Sequence, residues 1–166
     1  MTEVSYQVLI DLPRAEAWGR LRDLSLAHHY VPGIVDTQIT TDIKAGVGAS
    51  RRVYQSSSRY LEETVTHWDE GSGFTIRLHK GERDAPFKNA FFRYELKDAG
   101  SGKTRLIASM GYTPPLGGLG SVLDKLLLKR IVSGAIRDVV ISMKHYYESG
   151  RPTGKNDLKE LRRNTA

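Results

Sequence analysis

Glu63 and His67 are the pair in this sequence whose types invite chemistry, a carboxylate and an imidazole able to exchange protons near neutral pH. Both fall in the segment 59–68. Its apolar odd positions, Leu61 and Val65, mark one face of a β-strand, and the alternation carries Glu63 and His67 to that inward face. Four residues along a strand span about 13 Å, too far for a direct hydrogen bond. The two therefore form no dyad by themselves and would address opposite ends of a bound molecule. For His67 three readings stand together: contact with a ligand, a satisfied structural role, and catalysis. A carboxylate among apolar neighbours needs a counter-charge, which Arg52 or Lys80 would supply. A strand bulge would instead turn Glu63 outward and bring Glu62 in. Tyr94 and Tyr112 take the inward parity of later strands and join His67 as candidate catalytic residues, with no catalytic role assigned to any of the three.

Other chemistries find no support. The chain has no cysteine, which removes disulfides, thiolate nucleophiles and zinc–thiolate sites and fits a reducing compartment. Side chains of the adjacent His28 and His29 diverge, and no cysteine or nearby carboxylate completes a ligand set, so neither a metal nor another cofactor is expected. Gly117-Gly118-Leu119-Gly120 lacks the Gly-Lys-Ser/Thr ending of a phosphate loop and reads as a lid or the start of a helix. Ser109 and the serines at 56–58 sit in no nucleophile elbow.

The elements that must position these residues follow from periodicity. Residues 3–10 are rich in β-formers and form a first strand. Pro13 opens a helix in which Ala17, Trp18, Leu21, Leu24 and Leu26 recur at helical spacing, ending at Val31-Pro32-Gly33. Six strand-like segments follow, 34–41, 47–55, 59–68, 73–80, 89–98 and 103–113, joined by short polar or glycine-containing breaks that imply antiparallel neighbours. From about Ser121 to Glu148 a helical stripe runs through Leu123, Leu127, Ile131, Ala135, Val139, Met143 and Tyr146. Gly134 within it predicts a bend or a close approach to the sheet. The inward faces are Leu61, Glu63, Val65 and His67 in one strand and Phe74, Ile76 and Leu78 in the next. Phe92, Tyr94 and Leu96 follow, then Leu106, Ala108, Met110 and Tyr112. Thr75, Arg77, His79, Arg93, Glu95, Arg105 and Ser109 face solvent, and Phe91 stands out as an exposed aromatic.

This order predicts an α+β fold in which a seven-stranded curved antiparallel sheet wraps a long C-terminal helix. A strongly twisted sheet of that size curls, and a single helix leaves part of its concave side for a ligand. An apolar wall with a few polar groups suits a small hydrophobic molecule. At 166 residues the chain fits one domain, 1–150, followed by a basic, flexible tail, 151–166. The tail carries Arg151, Lys155, Lys159, Arg162 and Arg163 against Asp157 and Glu160, half of the net charge of +6. It reads as a solvated terminus with at most weak contact to an acidic membrane surface. No nucleic-acid motif accompanies it. The N-terminus does not resemble a signal peptide and no run approaches a membrane span, so a cytoplasmic home is expected. The oligomeric state is not legible.

The element order, the Pro13 helix start, Val31-Pro32-Gly33, the Gly46–Gly48 lead into a strand and Glu63-x-Val65-x-x-Trp68-Asp69 resemble the SRPBCC, START-like (helix-grip) superfamily. Within it, the polyketide cyclase/dehydrase and lipid-transport family is closest, over about residues 3–148. The resemblance implies a β-α-α-β6-α domain that holds a hydrophobic ligand between sheet and helix. It also implies an alternative, a cyclase/dehydratase in which a cavity arginine and tyrosines position a poly-β-keto chain. Alignment puts that arginine position at His67, a second basic position near Lys80, and aromatic positions at Phe92 and Tyr94. Imidazole does not replace a guanidinium conservatively, so the resemblance supports the pocket more than the reaction. The expected lining is Leu61, Glu63, Val65, His67, Phe74, Ile76, Leu78, Lys80, Phe92, Tyr94, Met110, Tyr112, Leu123, Leu127 and Ile131. A third expectation is a membrane-associated lipid or quinone chaperone using the tail and the Lys125–Arg130 surface.

Overall fold

The computed structural model describes residues 1–114 and 122–164, with the backbone alone at 122–125. Strand β1 (Thr2–Ile10) leads into α1 (Arg14–Leu21), a 3-10 turn (Leu24–Leu26) and the short α2 (Ala27–Tyr30). Then come β2 (Asp36–Ile39), β3 (Ser50–Tyr54), β4 (Tyr60–Asp69), β5 (Gly73–Lys80), β6 (Arg83–Asp84), β7 (Lys88–Gly100) and β8 (Lys103–Thr113). Helices α3 (Val122–Ser149) and α4 (Lys155–Asn164) close the chain. All seven expected strands form, and β6 adds a two-residue strand on β5. The sheet is antiparallel throughout, in the order β1-β8-β7-β5-β4-β3-β2.

Alternation sets the core. Val4, Val65, Ile76, Phe92 and Met110 form one inward rung across β1, β4, β5, β7 and β8, and Tyr6, Trp68, Phe74, Tyr94 and Ala108 form the next. Helix α3 packs against β1 and β8, at one side of the concave face. Its buried stripe is Val132, Ile136, Val139, Val140, Met143 and Tyr147, which keeps Val139 and Met143 of the expected one and is otherwise rotated from it. Runs such as Leu126-Leu127-Leu128 and Val139-Val140-Ile141 make several faces apolar, so periodicity alone left the rotation open. Residues 151–166, expected as a flexible tail, contain α4. Arg162 donates from Nε to Asp138 of α3 at 2.9 Å, and Thr153 bonds the carbonyls of His29 and Ser142.

One end of the sheet is closed by a clamp on Glu70. Its carboxylate accepts from the indole N–H of Trp18 (3.0 Å) and of Trp68 (2.8 Å), and pairs with Arg22. These bonds, that of Trp18 first, hold the Glu70 carboxyl below its usual range. Behind the clamp Trp68 stacks on Phe74 at 5.5 Å. The expected glycine loop, Gly117–Gly120, lies outside the described residues. Gly134 has open space around its Cα, so a close approach to the sheet does not explain it.

Candidate functional site

Ala49, just before β3, and Arg51 and Val53 within it share the inward parity, and all three are buried. Arg51 is 2% exposed. Its Nε donates to Glu63 of the neighbouring β4 at 2.6 Å, the two standing directly opposite in the ladder. Its NH1 donates to the carbonyl of Leu24 at 2.7 Å, which ties the ion pair to the turn before α2. Burial by itself would weaken the Arg51 cation, but the Glu63 carboxylate and the surrounding tyrosine oxygens outweigh this and hold the guanidinium charged.

Three tyrosines converge on this pair from three elements: Tyr30 from α2, Tyr94 from β7 and Tyr147 from α3. Each is at most 3% exposed. The Arg51 cation acts on the Tyr30 and Tyr94 phenols and opposes the rise that burial imposes on them. The Tyr147 hydroxyl is buried with no hydrogen-bond partner among the described residues, although its electrostatic neighbours are Tyr30, Tyr94 and Arg51. Arg20 of α1 donates to the Tyr147 carbonyl, fixing that turn of α3. Burial raises all three phenols, Tyr94 and Tyr147 well above their usual value, so at neutral pH the cluster offers neutral O–H donors around one cation.

The sign of that shift makes a prediction. A phenol raised above its unfolded value adds stability that is complete below about pH 10 and is lost as pH rises beyond it. In a spectrophotometric alkaline titration, three of the eight tyrosines are expected to ionise only as the fold melts. Smooth titration of all eight with the native structure intact would show the cluster to be wet.

The remaining expected residues divide. Val65, Phe74, Ile76, Leu78, Tyr94, Met110 and Tyr112 are buried on the inward face, and Leu61 and Phe92 are half-buried against the same core. Tyr112 packs on Phe87 at 5.0 Å and its phenol is raised by burial, but it lies on a different rung from Tyr94. Glu63 faces inward as expected, with Arg51 rather than Arg52 or Lys80 as its partner. Arg52 pairs with Glu62 on the outer face at 3.0 Å. Lys80 is exposed at the end of β5, 5.0 Å above the Tyr60 ring. Leu127 and Ile131 are exposed on α3, and the side chain of Leu123 lies outside the described residues.

His67 is a correction. A β-bulge between Val65 and His67 inserts Thr66 into the ladder, so His67 pairs with the outward Thr75 and is exposed. It lines an open groove of about 660 Å³ with Thr75, Arg93 and Lys97, to which Arg14, Phe74, Tyr94 and Leu96 also contribute. The expected bulge alternative, with Glu62 inward, fails because the bulge lies after Glu63. Phe91 is likewise no isolated aromatic: its ring covers Gly111, where a Cβ would stand 2.1 Å from it. His28 and His29 stack edge to face at 4.2 Å, and His29 bonds the Tyr146 hydroxyl at 3.0 Å. Among the described residues no group of His, Asp and Glu could hold a metal ion.

Arg51 is the residue sequence reasoning missed. The inward parity test applied elsewhere selects it on β3, between Ala49 and Val53.

No curated protein matches the sequence. Similar solved structures include the Zhui aromatase/cyclase from Streptomyces sp. R1128, 14% identical, with a TM-score of 0.67 over 89% of this chain and 93% of that one. A START superfamily protein from Mycobacterium smegmatis is 15% identical, with a TM-score of 0.66 over 88% and 97%. A protein from Thermobifida fusca is 15% identical, with a TM-score of 0.71 over 89% and 93%. These likenesses show a START-like helix-grip fold. The model of the polyketide cyclase/dehydrase and lipid transport family matches residues 1–148, and the chain belongs to that family.

Proposed function

We propose that the protein binds a small hydrophobic molecule, lipid-like or polycyclic, on the concave face of the sheet, with an oxygen-bearing end turned toward Arg51. The observation that carries this reading is the Tyr147 hydroxyl, buried and unpartnered beside Arg51, Tyr30 and Tyr94. A buried polar atom without a bond costs about 1–3 kcal/mol, and a ligand carbonyl or carboxylate would relieve it. The apolar rungs around Phe92 and Met110 suit the rest of such a molecule.

A second reading, a cyclase/dehydratase-type enzyme, is favoured by the same donors. A guanidinium and neutral phenols aimed at one oxygen would stabilise the negative charge that develops there on enolisation. The Arg51 cluster replaces His67 as the place for that chemistry.

Native mass spectrometry of freshly purified protein, followed by denaturing extraction, tests the binding reading. A co-purifying hydrophobic mass is expected, with occupancy lowered about tenfold in Tyr147→Phe. The ligand-free variant should be as stable as the ligand-free parent or more so, because an unsatisfied group has been removed. Protein that is empty and fails to take up a hydrophobic dye would end the proposal. Turnover of a poly-β-keto substrate, lost in Tyr94→Phe with binding retained, would select the enzyme.

A further inference from the structure

The net charge of +6 is distributed unusually. Residues 126–137 and 151–164 together hold eight lysines and arginines against two acids, and the remainder of the chain holds seventeen of each. The two segments are separate in sequence, and the fold joins them by laying α4 on α3. Arg162 reaches Asp138, and Thr153 reaches Ser142. The two helices and their link, residues 122–164, carry ten lysines and arginines against five acids, +5 of the net charge of +6.

The same surface is apolar where it should not be. Leu126, Leu127 and Ile131 are 58%, 59% and 60% exposed. Leu127, Ile131 and Asp138 stand at positions i, i+4 and i+11, on one side of α3. Helix α4, tied to Asp138, covers the far part of that side and stops short of the two apolar residues. Ile131 and Asp138 are about 10 Å apart along the axis. Leu158 and Leu161 of α4 are half-buried, leaving Lys155 and Lys159 outward. Among the described residues, Lys129, Arg130, Lys155 and Lys159 are exposed and enter no ion pair.

We infer that the α3–α4 surface docks on an anionic phospholipid bilayer, with Leu126, Leu127 and Ile131 entering the headgroup boundary and the cations meeting the lipid phosphates and carboxylates. Apolar side chains held out among unpaired cations fit an interface that is charged outside and oily beneath. A nucleic acid would satisfy the cations and leave the leucines wet, and the surface has no aromatic residues to stack on bases. No helix among the described residues is long and apolar enough to cross a membrane, so the contact is peripheral. This inference is independent of whether the concave face holds a ligand.

The test is flotation of the full chain with phosphatidylcholine vesicles, with and without phosphatidylserine. Binding is expected only to vesicles containing phosphatidylserine, and should weaken as salt shortens the screening length from about 10 Å at 0.1 M to about 3 Å at 1 M. Lys129→Gln with Arg130→Gln should reduce partitioning about 25-fold, near fivefold for each charge removed. Leu127→Ser with Ile131→Ser should also weaken binding while leaving its salt dependence. All four sites are exposed, and an unchanged melting temperature confirms that each variant is folded. Equal binding to neutral vesicles overturns the inference, as does binding unchanged in either pair of variants. Tight binding to DNA or an acidic protein with indifference to phosphatidylserine also overturns it.

Discussion

Arg51→Met is expected to lower the unfolding free energy by about 3–5 kcal/mol, because it strands the Glu63 carboxylate against an apolar interior with its partner gone. The pair is 2.6 Å apart, with Arg51 2% and Glu63 13% exposed. Glu63→Leu added to Arg51→Met should recover most of that loss, since a buried ion pair replaced by apolar residues of similar volume is often neutral or stabilising. Urea unfolding followed by the fluorescence of Trp18 and Trp68 measures both. If the single variant costs less than about 1 kcal/mol, the pair is solvated and the cluster is not the buried anchor described above. The double variant also separates fold from function. It should fold and yet fail to retain a co-purifying hydrophobic molecule, because the cation that orients its polar end is gone.

Gly73→Ala is expected to cost about 2–4 kcal/mol by forcing backbone out of place. A Cβ at Gly73 would stand 2.1 Å from the Tyr94 carbonyl oxygen and 3.0 Å from its carbonyl carbon. Those atoms belong to β7 and cannot rotate away as a side-chain tip would. The Ser72 carbonyl just before it accepts from Leu96 at 2.7 Å, so β5 starts pressed against β7. Since Tyr94 is one of the three hydroxyls around Arg51, the substitution should also reduce ligand retention. Gly71→Ala is the control. Gly71 has a φ of +79° with nothing within 4 Å, so that change carries only the conformational strain of a left-handed residue. Equal thermal shifts for the two variants would show that the β5–β7 contact is looser than the geometry implies.

Much of this architecture is present in local pattern. Period-two alternation marked the inward faces of β4, β5, β7 and β8, because a half-buried strand must put its apolar residues on one side. The same alternation brought Glu63 inward, and a carboxylate there required a cation. It failed at His67 for a reason also present in the sequence. Val65 and Trp68 are both apolar but three residues apart, an odd spacing that one unbroken strand cannot turn to a single face. The bulge at Thr66 resolves it, sending Trp68 onto Phe74 and His67 to the outer face. The choice of Arg51 over Arg52 was equally a matter of parity, settled by Ala49 and Val53 on either side.

The meeting of Tyr30, Tyr94 and Tyr147 at one guanidinium was not legible, because they come from three elements whose relative placement depends on packing. Nor was the rotation of α3, whose adjacent apolar residues permit several buried faces, so that Leu127 and Ile131 proved exposed where an inward stripe was expected. The stretch after Gly150 reads as a polar, charged tail on composition, and only its contact with Asp138 and Ser142 orders it as α4. The sequence by itself thus determined the element types up to Gly150 and most of the strand faces, since these follow from hydrophobic period and turn chemistry within a few residues, while its motifs carried the resemblance to the family. The tertiary structure alone decided which polar groups share the interior and which charges gather outside, since both depend on contacts between residues far apart in the chain, up to 137 positions.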